Sequence, residues 1–294
     1  MITTDELLDL EAAVGRAIRT RDASELNLLG HGEVCLALGW PADAPRLACK
    51  RLPPFANEAA CVAYADVVDR YVAVLRERGV RVLDTEVRWI PRADGRYIVF
   101  HLQPAIDQRT LGTHILANSV ASPDHPMLRA VVQATIAATS DGIGVDAQFS
   151  NWVWIDDEPW QLDLTTPFWV LDTGRVAFDL TPFLNSLPIV IRPIVRREME
   201  KLIKRWMTPR GALMDLVANL IKAGLLDWVE PALQVINDHV DTPVTEAEAR
   251  RTYETDLKTW PLMLRMQKAN RTWQERVRRR PYEQLLPDHT TYRA

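Results

Sequence analysis

The pattern of apolar and polar positions predicts a helix and then a hairpin at the start of the chain. Residues 3–6 have the T-x-x-E form of a capping box. Apolar positions then recur at helical spacing: Leu7, Leu10, Val14 and Ile18. Two extended segments follow, residues 34–38 and 46–52, with a proline-bounded turn between them. The first is entered through a glycine pair in residues 28–32, so these segments predict a β-hairpin.

A second helix and a second hairpin complete the first hundred residues. Asn57 is placed to cap a long helix that ends near Gly79, which stands where a C-terminal cap is expected. Residues 86–90 and 97–102 are extended segments around an Asp94-Gly95 turn. Because a single helix lies between the two hairpins, the pattern predicts an antiparallel sheet with a helix against it, rather than a doubly wound parallel sheet.

Beyond a connector at residues 103–107, the chain is predicted to be mostly helical. The exception is a pair of short strands, residues 152–155 and 160–164, around a turn. Helical patterns lie on both sides of this pair: one opens at 122–123, and others span 193–207, 209–223 and 245–280. The sequence therefore predicts an α+β fold, with a sheet-rich part at residues 1–102 and a helical part at residues 108–294.

Composition and charge narrow the class of protein. The chain has 294 residues, of which 47% are hydrophobic and 25% charged, as is usual for a globular protein with a core. A formal net charge of -4 gives no reason to expect nucleic-acid binding. No segment approaches the roughly 18 consecutive apolar residues of a spanning helix, so no membrane span is predicted. The 3 cysteines lack zinc spacing and even pairing, as expected of reduced thiols in a cytoplasmic protein.

Three polar residues in the middle of the chain are spaced as a phosphoryl-transfer site requires. Such transfer from ATP needs metal ligands, a cation on the phosphates, and a carboxylate that positions the incoming hydroxyl. Asp146 and Asn151 lie five residues apart in a loop, and the predicted hairpin then returns the chain to Asp163. Taken singly, Asp and Asn are common turn residues. Their spacing together with the hairpin favours a site.

In these residues the chain resembles the protein-kinase-like superfamily, and more closely its aminoglycoside and small-molecule phosphotransferase branch. The pattern of that branch is an Asp, four residues and an Asn, followed by a metal-binding Asp after a short hairpin. The resemblance covers roughly residues 26–170. It implies a two-lobed fold, with an antiparallel-sheet, nucleotide-binding N-terminal lobe and a mostly helical C-terminal lobe. It also implies ATP and Mg²⁺ as cofactors, Asp146 as catalytic base, and Asn151 and Asp163 as metal ligands.

The same resemblance assigns phosphate-binding residues in the sheet-rich part. Gly30 and Gly32 would form the turn over the ATP phosphates, and Lys50 would bind them from a strand. Arg51 is the neighbouring cation, but side chains alternate across a strand, so that one of the pair faces the cleft; order and distance favour Lys50. Glu58, in the first turn of the second helix, either holds Lys50 extended or is there because acids are favoured by the helix dipole.

The end of the second hairpin is the predicted hinge, where adenine is expected to contact the backbone of Phe100 and Leu102.

Three positions differ from the protein-kinase pattern. Cys35 stands in place of a third glycine, and Gly144 in place of the histidine that normally braces the loop. Asp163 is followed by Leu164-Thr165 instead of Phe-Gly, which is ordinary in the small-molecule branch. Since the charged and metal-binding positions remain, an active but divergent enzyme is predicted.

The phosphate acceptor and the function itself leave alternatives open. A run of basic residues either lines the substrate pocket, which favours a neutral or anionic hydroxyl compound over a polycationic aminoglycoside, or is a solvated helix face. The run consists of Arg192, Arg196, Arg197, Lys201, Lys204, Arg205 and Arg210. The acceptor is predicted to be a hydroxyl of a small molecule or a peptide Ser or Thr. One alternative is a pseudokinase that binds nucleotide or a partner protein without turnover, and another is an unrelated α+β protein.

Overall fold

The computed structural model of the protein describes residues 2–32 and 35–287 and has an α+β architecture. The described residues form nine α-helices: α1 (Thr4–Thr20), α2 (Glu58–Glu77), α3 (Gly112–Ala117), α4 (Pro126–Ala138), α5 (Thr181–Leu184), α6 (Arg192–Arg205), α7 (Pro209–Lys222), α8 (Val229–Asn237) and α9 (Glu246–Arg276). They also form eight strands: β1 (Asn27–His31), β2 (Leu36–Trp40), β3 (Leu47–Arg51), β4 (Arg81–Val82), β5 (Glu86–Pro91), β6 (Tyr97–Pro104), β7 (Trp152–Ile155) and β8 (Glu158–Gln161). No helix within these ranges is long and apolar enough to cross a bilayer.

The predicted antiparallel sheet with a helix against it is confirmed. Five strands are ordered β1-β2-β3-β6-β5, and every neighbouring pair is antiparallel. β1 is an additional strand, in the glycine-bearing segment for which no strand was predicted. The first predicted strand corresponds to β2, and its first residue, Val34, lies outside the described residues. The capping box and the apolar stripe of α1 are confirmed, and this stripe packs with Leu38, Ile98 and Phe100 on one face of the sheet.

The second helix, α2, lies between this sheet and the helical part. Asn57 caps it as predicted, by accepting a bond from the backbone N–H of Ala60 at 2.9 Å. Gly79 then adopts the left-handed conformation with φ +78°. The buried face of α2, including Tyr64 and Tyr71, belongs to the same core as α4, α7 and α8. A continuous core therefore runs from the sheet-rich residues into the helices.

A second sheet contains the hairpin that precedes Asp163. Its order is β4-β8-β7, with β4 parallel and β7 antiparallel to β8. β8 ends at Gln161 and begins two residues earlier than predicted, because Asp156 and Asp157 form a two-residue turn in which both have positive φ, 51° and 60°. Asp163 therefore lies just beyond the strand. β4 has two residues, too few for a periodic pattern to predict.

The three long C-terminal helical patterns are confirmed as α6, α7 and α9. α9 begins at a capping box formed by Thr245 and Glu248, and it continues through Pro261 to Arg276 rather than to residue 280. α4 begins at Pro126, later than the predicted start at 122–123, because the preceding residues form a turn. The helices α3, α5 and α8 were not predicted.

The structure corrects the predicted hinge at Phe100 and Leu102. Both residues lie inside β6, with register partners on β3 and on β5 at the same time. Their side chains are buried in the core against α1. Because a central strand uses its backbone groups in the sheet on both sides, neither residue is available to hydrogen-bond a base. The chain leaves the sheet after Pro104, so residues 105–107 form the connector.

Candidate active site

The central contact of the site joins the sheet to the segment that follows β8. The ammonium of Lys50 donates to Asp163 Oδ1 at 3.2 Å and to the carbonyl of Leu162 at 3.0 Å. The Lys50 side chain is 10% exposed and that of Asp163 is 32% exposed, so the pair lies at the edge of the interior and remains open to solvent on the carboxylate side. Two residues predicted from separate motifs are therefore in direct contact.

Lys50 and Arg51 point to opposite faces of the sheet, as strand alternation predicts. Arg51 forms an ion pair with Glu11 on α1, at 2.5 and 2.8 Å, and Nη1 donates to the backbone carbonyl of Glu283 at 3.2 Å. These partners lie on the face of the sheet covered by α1. Because alternate side chains of a strand point to opposite faces, Lys50 faces the segment that carries Asp163.

The candidate loop and the Asp163 segment are bonded to each other through Gln161. This buried side chain donates to the carbonyl of Asp146 at 3.5 Å and to the carbonyl of Asp163 at 3.4 Å. The backbone N–H of Leu162 donates to the carbonyl of Asn151 at 2.8 Å. The structure thus brings the three residues predicted from spacing into one locality. Gln161 was not predicted as a site residue. Its position two residues before Asp163 could have indicated it, because alternate residues of a strand point to the same side.

The carboxylate of Asp146 is half-buried and hydrogen-bonded within its own loop. It accepts from the backbone N–H of Gln148 at 3.2 Å and from its side-chain amide at 2.6 Å. A carboxylate that is fixed by local donors and still partly exposed is suited to accept a hydroxyl proton, because its orientation is set before a substrate arrives.

Asn151 and Asp163 carry oxygen atoms of the kind that Mg²⁺ takes as ligands. Asn151 is 8% exposed, and its amide oxygen would be the ligand atom, since its nitrogen is a hydrogen-bond donor. Asp163 Oδ1 accepts from Lys50 and from the N–H and hydroxyl of Thr165, whereas Oδ2 accepts no bond from the described residues. Within this part of the chain, no group of three or more His, Cys, Asp or Glu side chains converges. Mg²⁺ is typically held by one or two carboxylates, with the remaining ligands from substrate phosphates and water.

The surroundings of the site shift the pKa values of Asp163 and Cys35. Burial raises the pKa of Asp163, but Lys50 and the two bonds from Thr165 outweigh burial, so that its pKa lies below the ordinary value and the carboxylate is ionised at neutral pH. Burial, and then the charge of Asp163, raise the pKa of the Cys35 thiol to about 12. The residue in place of the third glycine is therefore a neutral thiol near the carboxylate, with little nucleophilic character.

Of the two predicted glycines, Gly30 lies in the same row of the sheet as Lys50. Gly30 is opposite Ala37, and Ala37 is opposite Lys50. No heavy atom of the described chain lies within 4 Å of a Cβ built on Gly30, so this side is open. Gly32 donates its N–H to the carbonyl of Cys35 at 2.9 Å, and a Cβ on Gly32 would stand 2.9 Å from the sulfur of Cys35. Residues 33 and 34 lie outside the described residues.

Two alanines beside Lys50 were not predicted to be part of the site. Ala37 and Ala48 are half-buried and point to the same side as Lys50, because they lie one strand across from it and two residues before it. Their small side chains leave a flat apolar surface next to the ammonium. The alternation of small and large residues in β2 was the signal that could have identified this face.

Of the two interpretations left open for Glu58, the pairing with Lys50 is wrong. Glu58 is exposed and accepts a bond from the indole N–H of Trp89 at 3.2 Å, while Lys50 is bonded to Leu162 and Asp163. The reason is the rotation of α2. Its apolar stripe turns inward, and Glu58 lies off this stripe. Tyr64 and Tyr71, which lie on the stripe, are polar side chains that α2 directs towards the site.

At Gly144, the main chain of another segment occupies the space that a side chain would need. A Cβ on Gly144 would stand 2.2 Å from the carbonyl oxygen of Trp206, at the end of α6. The loop is held instead by Tyr71, whose hydroxyl donates to the carbonyl of Gly144 at 2.8 Å. The N–H of Gly144 donates to the carbonyl of Phe168, also at 2.8 Å.

Several members of the basic run on and after α6 make structural contacts. Arg192 bonds to Asn185 and to the carbonyl of Leu187, just before α6. Arg196 bonds to Thr181 of α5, and Arg210 bonds to Glu248 and to the carbonyls of residues 242 and 243. Arg205 lies 3.7 Å from the buried carboxyl of Asp215. These contacts agree with the interpretation of this run as a solvated and structural helix face, and they leave the preference for an anionic acceptor without support.

Comparison with known proteins identifies a family whose function is unknown. A protein-family model described as "Family of unknown function (DUF6206)" matches residues 9–271. The matched range includes the sheet, the Lys50–Asp163 contact and most of α9. No curated protein was found that matches the sequence.

Proposed function

This chain belongs to the DUF6206 family, whose function is unknown, and from the residues around Lys50 we propose that it is an ATP- and Mg²⁺-dependent phosphotransferase with a protein-kinase-like fold. The acceptor is a hydroxyl of a small molecule. One observation carries the proposal: the ammonium of Lys50 is 3.2 Å from the carboxylate of Asp163, and Gln161 bonds this segment to the loop of Asp146. A cation, a metal-ligand pair and a carboxylate are what phosphoryl transfer requires in one place.

Each of these residues has a distinct role in the proposed reaction. Lys50 binds phosphate oxygens of ATP, and Asn151 and Asp163 would hold Mg²⁺. When bound, the ion supplies positive charge that neutralises the phosphates. Asp146 orients the acceptor hydroxyl and accepts its proton. The flat surface of Ala37 and Ala48 is proposed to contact the base, since Phe100 and Leu102 are enclosed in the sheet.

Nucleotide binding is tested by thermal unfolding in the presence of ATP and MgCl₂. A ligand at a hundred times its Kd stabilises a protein by about 2.7 kcal/mol, and for this chain length the Tm is expected to rise by roughly 4–5 °C. Asp163→Ala should abolish the Mg²⁺-dependent part of this rise. Asp66→Ala, which removes an exposed carboxylate from α2, serves as the matched control and should respond as the wild type does. An unchanged wild-type Tm at saturating ATP and Mg²⁺ contradicts the proposal.

Turnover is tested with Asp146→Asn, which keeps the shape of the side chain and removes the base. We expect this variant to bind Mg²⁺–ATP like the wild type and to lose slow ATP hydrolysis by a factor of about 10²–10⁴, the usual contribution of a general base. Hydrolysis is followed by phosphate release, and a panel of hydroxyl-bearing metabolites then identifies the acceptor. Equal rates for wild type and Asp146→Asn with every acceptor, in a protein that binds the nucleotide, would favour the pseudokinase alternative.

A further inference from the structure

We propose that Tyr64 is a positioning residue, which orients the metal-binding carboxylate of Asp163 through Thr165. This inference rests on the proposed function, because Asp163 needs orienting for a metal only if the protein binds Mg²⁺–ATP. It gives α2 a contact with the site that the exposed Glu58 does not provide.

The contact consists of three hydrogen bonds that lead from Tyr64 through Thr165 to Asp163. The hydroxyl of Tyr64 donates to the carbonyl of Thr165 at 2.8 Å. Thr165 in turn donates to Asp163 Oδ1 twice, from its N–H at 3.0 Å and from its hydroxyl at 2.9 Å. Tyr64 is 3% exposed and Thr165 is 2% exposed, so the bond between them is shielded from water, whereas the two bonds to Asp163 are partly buried. These bonds link α2 to one oxygen of the Asp163 carboxylate.

His101 holds the Tyr64 hydroxyl from the other side. Its Nε2 lies 2.8 Å from the tyrosine oxygen. Because the single hydroxyl proton of Tyr64 is donated to Thr165, the hydrogen between the rings belongs to His101 Nε2. Burial, and then the nearby charge of Lys50, lower the pKa of His101 to about 3, so the ring is neutral at physiological pH. His101 also lies directly opposite Lys50 in the register of β3 and β6.

The effect of this series is to leave one defined oxygen of Asp163 available. Oδ1 accepts from Lys50 and twice from Thr165, so rotation of the carboxylate would break three bonds. Oδ2 accepts no bond from the described residues and is the oxygen left for a cation. Hydrogen-bond partners of metal-binding carboxylates fix their orientation in this way, and losing one commonly lowers metal affinity by about 10–100-fold.

The surroundings of the Tyr64 ring show that packing does not require the hydroxyl. The ring centroid lies 5.2 Å from that of Phe55, 6.3 Å from Phe178 and 6.4 Å from Phe183. A phenylalanine would satisfy this apolar environment equally well, whereas a buried hydroxyl must be paired. The polar atom is aimed at the segment that carries Asp163, which is the observation that separates a positioning role from a purely packing one.

Tyr64→Phe tests the inference by calorimetric titration of ATP, once with MgCl₂ and once with EDTA. We expect the gain in ATP affinity that Mg²⁺ provides to fall about tenfold or more, while affinity in EDTA stays unchanged. If the substitution only loosened the packing, ATP affinity would change equally with MgCl₂ and with EDTA. Tyr97→Phe makes the same chemical change on β6, where the ring is half-buried, and it should keep the full effect of Mg²⁺. Urea unfolding of both variants confirms that each is folded at the titration temperature.

The outcomes separate this inference from the function on which it rests. A wild type whose ATP binding is insensitive to Mg²⁺ overturns both. A wild type that responds to Mg²⁺ and a Tyr64→Phe variant that responds equally overturn the positioning role alone. If Tyr64→Phe does not fold, Thr165→Val removes the hydroxyl bond to Asp163 and keeps the N–H bond; it should lose part of the same Mg²⁺-dependent gain, and an undiminished gain overturns the inference.

Discussion

Asp215 is a buried carboxyl on α7, next to the candidate catalytic loop. Its Oδ2 accepts a bond from the side chain of Asn219 at 2.9 Å, and its Oδ1 lies 3.7 Å from Arg205. Burial, and then the charge of Asp146, raise the pKa of Asp215 to about 8. The group is therefore largely protonated at neutral pH, and a single residue couples the stability of the helical part to the charge of the site.

The sign of the resulting pH dependence follows from the direction of the shift. The folded pKa of about 8 exceeds the ordinary 3.8, so the stability that the proton contributes is present below about pH 4 and is lost as the pH rises towards 8. In this window the wild type is expected to lose up to about 1.4 kcal/mol of folding free energy per pH unit. Asp215→Asn, which cannot ionise, should not show this loss. Urea unfolding at pH 5 and pH 7.5 measures it. Asp227→Asn, at an exposed position, is the control, and a pH-independent difference between Asp215→Asn and wild type contradicts the prediction.

At the scale of elements, the end of α6 packs closely against the loop that carries Gly144 and Asp146. Gly144 permits the carbonyl of Trp206 to lie where a side chain would begin, and Met207 Cε stands 2.9 Å from the same position. This approach could not be predicted from local patterns, since each segment by itself is compatible with many placements. The capping boxes at Thr3 and Thr245 could be predicted, because both partners of each cap lie within one turn.

Gly144→Ala is expected to destabilise the protein by about 1–3 kcal/mol, because the added methyl group meets a backbone oxygen that cannot move without shifting α6. Gly15→Ala in α1 is the matched control. There the nearest neighbour is the end of the flexible Arg19 side chain at 3.4 Å, and the change should be neutral or stabilising by about 0.5–1 kcal/mol. The free energies of unfolding in urea check both values, and equal stability of Gly144→Ala and wild type would refute the proposed clash.

At the scale of the molecule, the C-terminal segment, residues 277–287, connects the helical part to the sheet. The hydroxyl of Tyr282 donates to the carbonyl of Ser186 at 3.0 Å. The next residue, Glu283, forms ion pairs with Arg92 and Arg96 at the β5–β6 hairpin. Leu285 packs against the core under α1. The segment is thus bonded on both sides of the site, and it restrains the sheet relative to the helices.

Glu283→Ala is expected to weaken this restraint, because two arginines lose their common partner. The Glu283 side chain is 20% exposed, and the cost should be about 1–3 kcal/mol, as for a charged hydrogen-bonding partner that is removed from a partly buried network. Hydrogen exchange should become faster in the β5–β6 hairpin. Glu254→Ala, at an exposed position of α9, should leave the exchange unchanged; identical exchange in Glu283→Ala and wild type would show that the segment does not restrain the sheet.

Local patterns in the sequence determined the elements and the direction of side chains within them. Helical spacing and caps determined α1, α2 and α9, and strand alternation was enough to place Lys50 and Arg51 on opposite faces. The tertiary structure alone decided which partners these side chains meet: Asp163 rather than Glu58 for Lys50, and Trp206 rather than a histidine beside the loop. The physical reason is that these contacts join distant segments, 113 residues apart in the case of Lys50 and Asp163. Their geometry depends on how whole elements pack, which no local repeat encodes.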